Sequence, residues 1–351
     1  MKILYAVQAT GNGHISRAIE LLPHLKKYGD IDIFLSGSNS QLGVGLPVVY
    51  RSKGMSLVYN SKGGLDYLAI LKNLKPMAHI KDAFDLPVKK YDLVLNDFES
   101  ITSLACKIKR CKSIHFGHQA SFVSKKVPRP FERDMMGELI LKYYCSAEKN
   151  FGLHFKQYDK NIYTPVIKEQ IRNAEPQNFG HVTVYLPQFS CKELSTYLKS
   201  LTYIKFQVFT KETNKREVQD NIEYFPINYE LFSQSMITCH GIITGGGFET
   251  PAEAMYLGKK IMLFPIRGQY EQWCNAAALN EWKIPVLESL NTYTGVKIHR
   301  WYYKDEFNYD IDYQPTEAAV KWLFNSIDSK NFVEGNIKHD LHSGEFIPAI
   351  K

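Results

Sequence analysis

Between Ile242 and Asn275 the chain reads IITGGGFETPAEAMYLGKKIMLFPIRGQYEQWCN, and the residue types in that stretch suit the binding of an anion. Gly245, Gly246 and Gly247 let the backbone approach a ligand with no Cβ in the way, and Thr250 and Pro251 stand where a helix begins. The first turn of a helix carries N–H groups without partners and the positive end of its dipole. A phosphate or diphosphate is stabilised there without a lysine. Glu253 lies in the same helix, its carboxylate able to reach the sugar side of a nucleotide. A second apolar run ends at Phe264, and the loop behind it brings Gln269, Glu271, Gln272 and Asn275 to the same strand edge. One glycine cluster alone is more often a tight turn, with Glu253 a solvated helix residue. The whole constellation favours a ligand site.

A second group suits proton transfer. The opening segment ILYAVQATGNGHISRA gives a strand, a turn through Ala9, Thr10, Gly11, Asn12 and Gly13, and then His14 entering a helix at the mouth of the sheet. A histidine titrates near neutral pH and takes a proton from a hydroxyl when a carboxylate or backbone group fixes its tautomer. The plainer reading makes His14 a helix N-cap residue. Asp97 and Glu99 follow a strand in YDLVLNDFES, and His118, Gln119 and Ser121 follow another in SIHFGHQAS. Polar groups at the carboxyl ends of parallel strands are expected to line one cleft, with Asp97 either orienting His14 or acting as the base itself. Glu99 fits an N-cap better.

Holding two such groups in one site requires more than one core. A chain of 351 residues fits two domains, and its apolar and aromatic content is enough to bury both. The pattern predicts strands at Ile3 to Val7, Ile31 to Ser36, Asp92 to Asn96, Ser113 to Phe116 and Asn150 to His154. A second set runs His181 to Leu186, Lys205 to Phe209, Ile222 to Phe225, Met236 to Thr244 and Lys260 to Phe264. Alternation with helical stretches makes this α/β, with two Rossmann-like domains. The expected division is 1–160, 161–313, and a closing amphipathic helix with a polar tail over 314–351. The aromatic stretch from Tyr293 to Tyr313 has no clean period and reads as an insertion or an edge strand.

Several function classes drop out. The G-x-G turn lacks its third glycine, with Ser16 in that position, and no acidic residue follows the second strand, which argues against a nicotinamide cofactor. No P-loop motif occurs. Two D-x-D matches, Asp30 to Asp32 and Asp310 to Asp312, fall at a strand start and in an irregular segment, so no metal site is expected. Six scattered cysteines without C-x-x-C point to a reduced, cytoplasmic protein. No run is long and apolar enough to span a membrane. The net charge of +7 is moderate, and no nucleic-acid module is present. SKKVPRPFER, from Ser124 to Arg133, is basic and includes Phe131, with Met135 and Met136 beyond it. Such a loop either rests on anionic lipid at the inner face of a membrane, grips an acidic acceptor, or is a solvated charge run.

The segment GGGFETPAEAMYLGKKIMLFPIRGQYEQWCNA resembles the donor site of nucleotide-sugar-dependent glycosyltransferases of the two-Rossmann-domain (GT-B) type. It is similar to the bacterial peptidoglycan GlcNAc transferase, plant monogalactosyldiacylglycerol synthase and plant UDP-glucosyltransferases. The resemblance implies diphosphate contacts from Gly246, Gly247 and Thr250, with Phe248 in the same turn, ribose contacts from Glu253, and sugar contacts from Glu271 and Gln272. GNGHISRA is similar to the first-strand turn of those enzymes, which ends in Gly-His and shapes the acceptor site, although it is shorter than their GGTGGH form. Asn12, Gly13, His118 and Gln119 then belong to the acceptor side, with His14 or Asp97 catalytic. The DFE and GHQ elements resemble a less-studied bacterial and archaeal branch. The implied activity is metal-independent, inverting transfer from a nucleotide-sugar, UDP-linked in the nearest families, to a glycan, lipid or small-molecule hydroxyl. No cofactor is implied, and the implied setting is cell-envelope glycan or glycolipid synthesis. Nucleotide-sugar 2-epimerases, which would use Asp97, Glu99 and Glu271, and non-catalytic nucleotide-sugar-binding proteins share the architecture.

Overall fold

A computed structural model describes residues 1–9, 11–37, 45–54, 76–304 and 308–327. Thr10 of the first turn and the expected tail from Asp328 lie outside the described residues. The first sheet contains β1 (Lys2–Gln8), β2 (Asp30–Ser36), β3 (Val48–Ser52), β4 (Leu93–Asp97), β5 (Ile114–Gly117), β6 (Lys149–Leu153) and β7 (Ile162–Tyr163). Its order is β3-β2-β1-β4-β5-β6-β7, and every neighbouring pair is parallel. The second contains β8 (His181–Tyr185), β9 (Lys205–Thr210), β10 (Glu217–Gln219), β11 (Ile222–Pro226), β12 (Gly241–Thr244) and β13 (Lys260–Leu263). Its order is β10-β11-β9-β8-β12-β13, parallel except for the short β10 and β11 pair.

Both orders reverse direction beside their first strand, between β1 and β4 and between β8 and β12. At such a switch point the loops leave in opposite directions and open a crevice at the carboxyl ends of the strands. His14 follows β1 and Asp97 ends β4, while the three glycines follow β12. Topology alone therefore puts both chemical groups at crevices.

Central strands are apolar on both faces because helices cover both: from Ile3 to Gln8, β1 is buried throughout. The Asn12–Leu25 helix packs on that sheet through Ile15, Ala18, Leu21, Leu22 and Leu25, an apolar stripe at helical spacing. The Thr316–Ser326 helix returns from the second half of the chain to the first. Phe324 stacks on Tyr28 at 3.9 Å, Trp322 meets Phe151 and Tyr163, and Val320 and Leu323 join the apolar cluster that holds Ile3 and Leu21. Among the described residues no helix is long and apolar enough to cross a membrane.

Two expectations change. The run expected as a strand from Met236 to Thr244 is the end of a helix, Tyr229–Thr238, before β12 starts at Gly241. Asn228 caps that helix by accepting from the Leu231 amide, and a buried apolar run has no period that separates helix from strand. The aromatic stretch after Tyr293 contains a helix, Thr294–Tyr303, which buries Thr294, Ile298 and Trp301 at helical spacing. Trp301 Nε1 donates to the Ile261 carbonyl at 3.0 Å, so packing on β13 outweighs the strand preference of aromatic residues. β7 pairs with β6, so the first sheet extends to Tyr163.

Candidate active site between the two sheets

A cavity of about 730 Å³ lies between the two sheets. From the first half of the chain it is lined by Asn12, Gly13, His14, Arg17, His118 and Gln119, and from the second by Gly247, Phe248, Thr250, Glu271 and Gln272. Ten of the expected site residues thus meet around one space.

The first-half wall is built on buried charge. Asp97 has no exposed surface, and its carboxylate receives Arg17 Nη2 at 2.7 and 2.8 Å, Arg17 Nε at 3.1 Å and His14 Nδ1 at 3.0 Å. Burial alone would raise its pKa, but the Arg17 guanidinium and His14 outweigh burial and hold it well below the usual carboxylate range. Arg17 is itself raised: burial works against the cation, and Asp97 and Glu249 more than offset it. His14 Nδ1 lies 3.0 Å from both Asp97 Oδ1 and Arg17 Nη2; with Nδ1–H donating to the carboxylate, Nε2 is the basic nitrogen. Asp97 does not line the cavity, and its oxygens are spent on Arg17 and His14. Phe98, the next residue, has φ 56°, a conformation rare for a bulky side chain, and its ring lies parallel to His14 on the cavity wall. Glu99 caps the Ser100–Lys109 helix, accepting from the Ile101 and Thr102 amides at 2.8 and 2.6 Å, and is fully buried.

Backbone and amide groups build the opposite wall. The Glu249–Tyr256 helix starts after Phe248, which supplies no side-chain cap. A Cβ on Gly247 would meet nothing within 4 Å, so ligand can approach that backbone, whereas one on Gly246 would stand 2.6 Å from the Gln272 carbonyl. Gly246 is needed for packing of the protein on itself. Its N–H donates to Gln272 Oε1 at 3.0 Å and its carbonyl accepts from Asn275 Nδ2 at 3.0 Å. Gln272 Oε1 also accepts from the Ile266 amide, so this side chain clamps the glycine turn as well as lining the cavity.

His118 joins the walls. Its ring stacks on Phe248 at 3.9 Å, with Nδ1 2.9 Å from the Leu153 carbonyl and Nε2 2.8 Å from Asn275 Oδ1. Burial lowers its pKa. Gln119 Nε2 donates to Glu271 Oε2 at 3.0 Å across the same gap.

Glu253 differs from expectation. It is 2% exposed, lies off the cavity, and pairs with Lys168 Nζ at 3.1 Å, and Lys168 is the member of the pair that lines the space. Burial raises the Glu253 carboxyl, with Lys168 opposing. Ile227, just after β11, lines the cavity, while Phe225 within that strand stacks on Phe209. Arg17, Lys168, Phe98 and Tyr144 were not singled out from the sequence. For Arg17 a signal existed, since it stands three residues after His14 on the same helical face.

The model of glycosyl transferase family 1 matches residues 1–294. The chain belongs to that family. It is a nucleotide-sugar glycosyltransferase with the GT-B fold. No curated protein matches it by sequence. Among solved structures it is similar to UGT89C1 of Arabidopsis thaliana complexed with UDP, at 11% identity and TM-score 0.59, covering 97% of this chain and 99% of that one. It is also similar to the spinosyn forosaminyltransferase SpnP, at 12% identity and TM-score 0.55, covering 96% and 95%. A third is UGT2 of Phytolacca americana, complexed with UDP-2-fluoro-glucose and pterostilbene, at 12% identity and TM-score 0.53, covering 97% and 93%. These likenesses show the fold.

Proposed function

We propose that the protein transfers a sugar from a UDP-sugar to an acceptor hydroxyl, with inversion and without a metal. The observation that carries this is the His14 and Asp97 pair, 3.0 Å apart, on the wall opposite Gly247 and the Thr250 helix start. His14 Nε2 takes the proton of the acceptor hydroxyl as that oxygen attacks the anomeric carbon, and the bond to the diphosphate breaks. Asp97 orients the imidazole. Negative charge gathering on the leaving diphosphate is met by the N–H groups of the Glu249–Tyr256 helix, with Gly246 shaping the turn. Glu271 and Gln272 face the sugar, and Glu253 acts on the ribose side through Lys168. Residues up to β7 form the acceptor domain, and those from β8 to Tyr313 the donor domain. The 2-epimerase alternative loses support because Glu99 is spent as a cap and Asp97 on Arg17.

The acceptor side supports an amphiphile. Ile140, Leu141 and Tyr144 line the cavity from the Met135–Tyr143 helix and its end, while Met135, Met136, Leu139 and Tyr143 are exposed beside a fully exposed Phe131. Lys125, Lys126, Arg133 and Lys142, exposed in the same stretch of chain, suit an anionic membrane surface at the inner leaflet.

Thermal melting with UDP, GDP, dTDP and their sugars tests the donor. Ligand at about a hundred times its Kd stabilises by about 2.7 kcal/mol. A shift with UDP and UDP-sugars supports the reading, a shift with another diphosphate corrects the base, and no shift with any of them overturns it.

A further inference from the structure

Arg17 spans the cleft in a way the proposed reaction does not use. Two of its guanidinium nitrogens, Nε and Nη2, are turned to Asp97, and Nη1 is turned to the carboxylate of Glu249. Glu249 comes from the opposite half of the chain, as the first residue of the Glu249–Tyr256 helix, and its side chain is 22% exposed on the cavity. That carboxylate also lies against the first turn of the Asn12–Leu25 helix. A Cβ on Gly13 would stand 2.5 Å from Glu249 Oε2. Among the described residues, neither helix start has a side-chain cap hydrogen bond. An anion therefore already occupies the gap between a buried guanidinium and two helix starts. The surrounding wall is also built for a ligand: Gln8 Oε1 and Gln119 Oε1 are buried on the cavity with no hydrogen-bond partner among the described residues.

We propose that Glu249 holds the place of the donor's β-phosphate, and that Arg17 is a diphosphate ligand supplied by the first domain. The proposal rests on the glycosyltransferase reading and deepens it. Asp97 fixes the guanidinium plane, so Nη1 is preorganised and needs no rearrangement to receive a phosphate oxygen. A carboxylate and a diphosphate repel each other at this range in a partly buried site. Donor entry then exchanges one anion for another on Arg17: Glu249 swings to the open side, and the phosphate bridges Arg17 and the helix start of the second domain. Arg17 thereby also meets the charge that develops on the leaving group.

The test titrates the full chain with nucleoside diphosphates (UDP, GDP, dTDP) and the matching monophosphates, comparing wild type, Glu249→Gln and Arg17→Lys. Glu249→Gln keeps the shape and removes the charge, so the bound diphosphate should tighten about tenfold, with a smaller change for the monophosphate. Arg17→Lys keeps a cation for Asp97 and should shrink the preference for diphosphate over monophosphate. Diphosphate binding that is unchanged or weaker in Glu249→Gln overturns the proposal, as does an undiminished preference in Arg17→Lys. If wild type binds none of the nucleotides, the donor reading falls and this proposal with it. If wild type binds and Glu249→Gln matches it, this proposal alone falls.

Discussion

The two walls of the cavity are made of different materials. The one facing His14 is held by charged side chains with almost no exposure, Asp97 and Arg17, whereas the one facing Gly247 is held by main-chain groups and the amides of Gln272 and Asn275. A proton-transferring group must keep its orientation and tautomer while its charge changes, which a fixed ion pair achieves. An anion-binding group has only to present N–H donors at close range, which a glycine turn and a helix start do without any titratable side chain. The first wall should therefore fail through charge and the second through shape.

The sharpest way to break that comparison is His14→Ala, which should lower turnover about 10²–10⁴-fold while leaving nucleotide affinity nearly intact. Steady-state kinetics alongside titration calorimetry checks it, and a matching loss of donor affinity would merge the two walls into one. Asp97→Ala should come next, costing about 3–5 kcal/mol of stability by stranding Arg17 without its buried partner. Urea unfolding reads that directly. The same group sets a pH dependence: its folded-state pKa is depressed, so its contribution is complete above the ordinary carboxylate range and fades as pH falls below about 4. Wild type should lose stability more steeply between pH 5 and pH 3 than Asp97→Asn, by about 1 kcal/mol or more. Gly246→Ala tests the other wall by shape alone, pushing Gln272 away at a cost of about 1–3 kcal/mol and weakening diphosphate binding without altering the pH profile of turnover. Smallest should be Asn275→Ala, about 1 kcal/mol where water replaces the amide, seen as a lower melting temperature with turnover largely kept.

The second wall was the more legible of the two in sequence. Glycines, a threonine and a proline before a helix carry their meaning in residue type, because backbone geometry demands those types. Strand ends carried the rest, which is how His14, Asp97, His118 and Gln119 came together from positions far apart in the chain. Partnerships were not legible. Arg17 on a helix reads as a solvated cation until the fold turns it toward Asp97, and Lys168 in a polar linker gives no hint of Glu253. Glu253 shows why: it stands at helical spacing from Glu249 and Thr250, which line the cavity, and so reads as ligand-facing, yet the fold buries it against Lys168. Phe98 escaped for a similar reason, since nothing in its type announces a left-handed turn.

The returning Thr316–Ser326 helix bears on how the protein can be recombined. Its partners Tyr28, Phe151 and Tyr163 all belong to the first half, and Lys27 pairs with Glu317 at 2.8 Å. A graft that exchanged acceptor specificity between two such enzymes by cutting once, after β7, would separate this helix from the surface it was shaped on. A working hybrid needs two junctions, one after β7 and one before Thr316, so that the first segment and the last travel from the same parent.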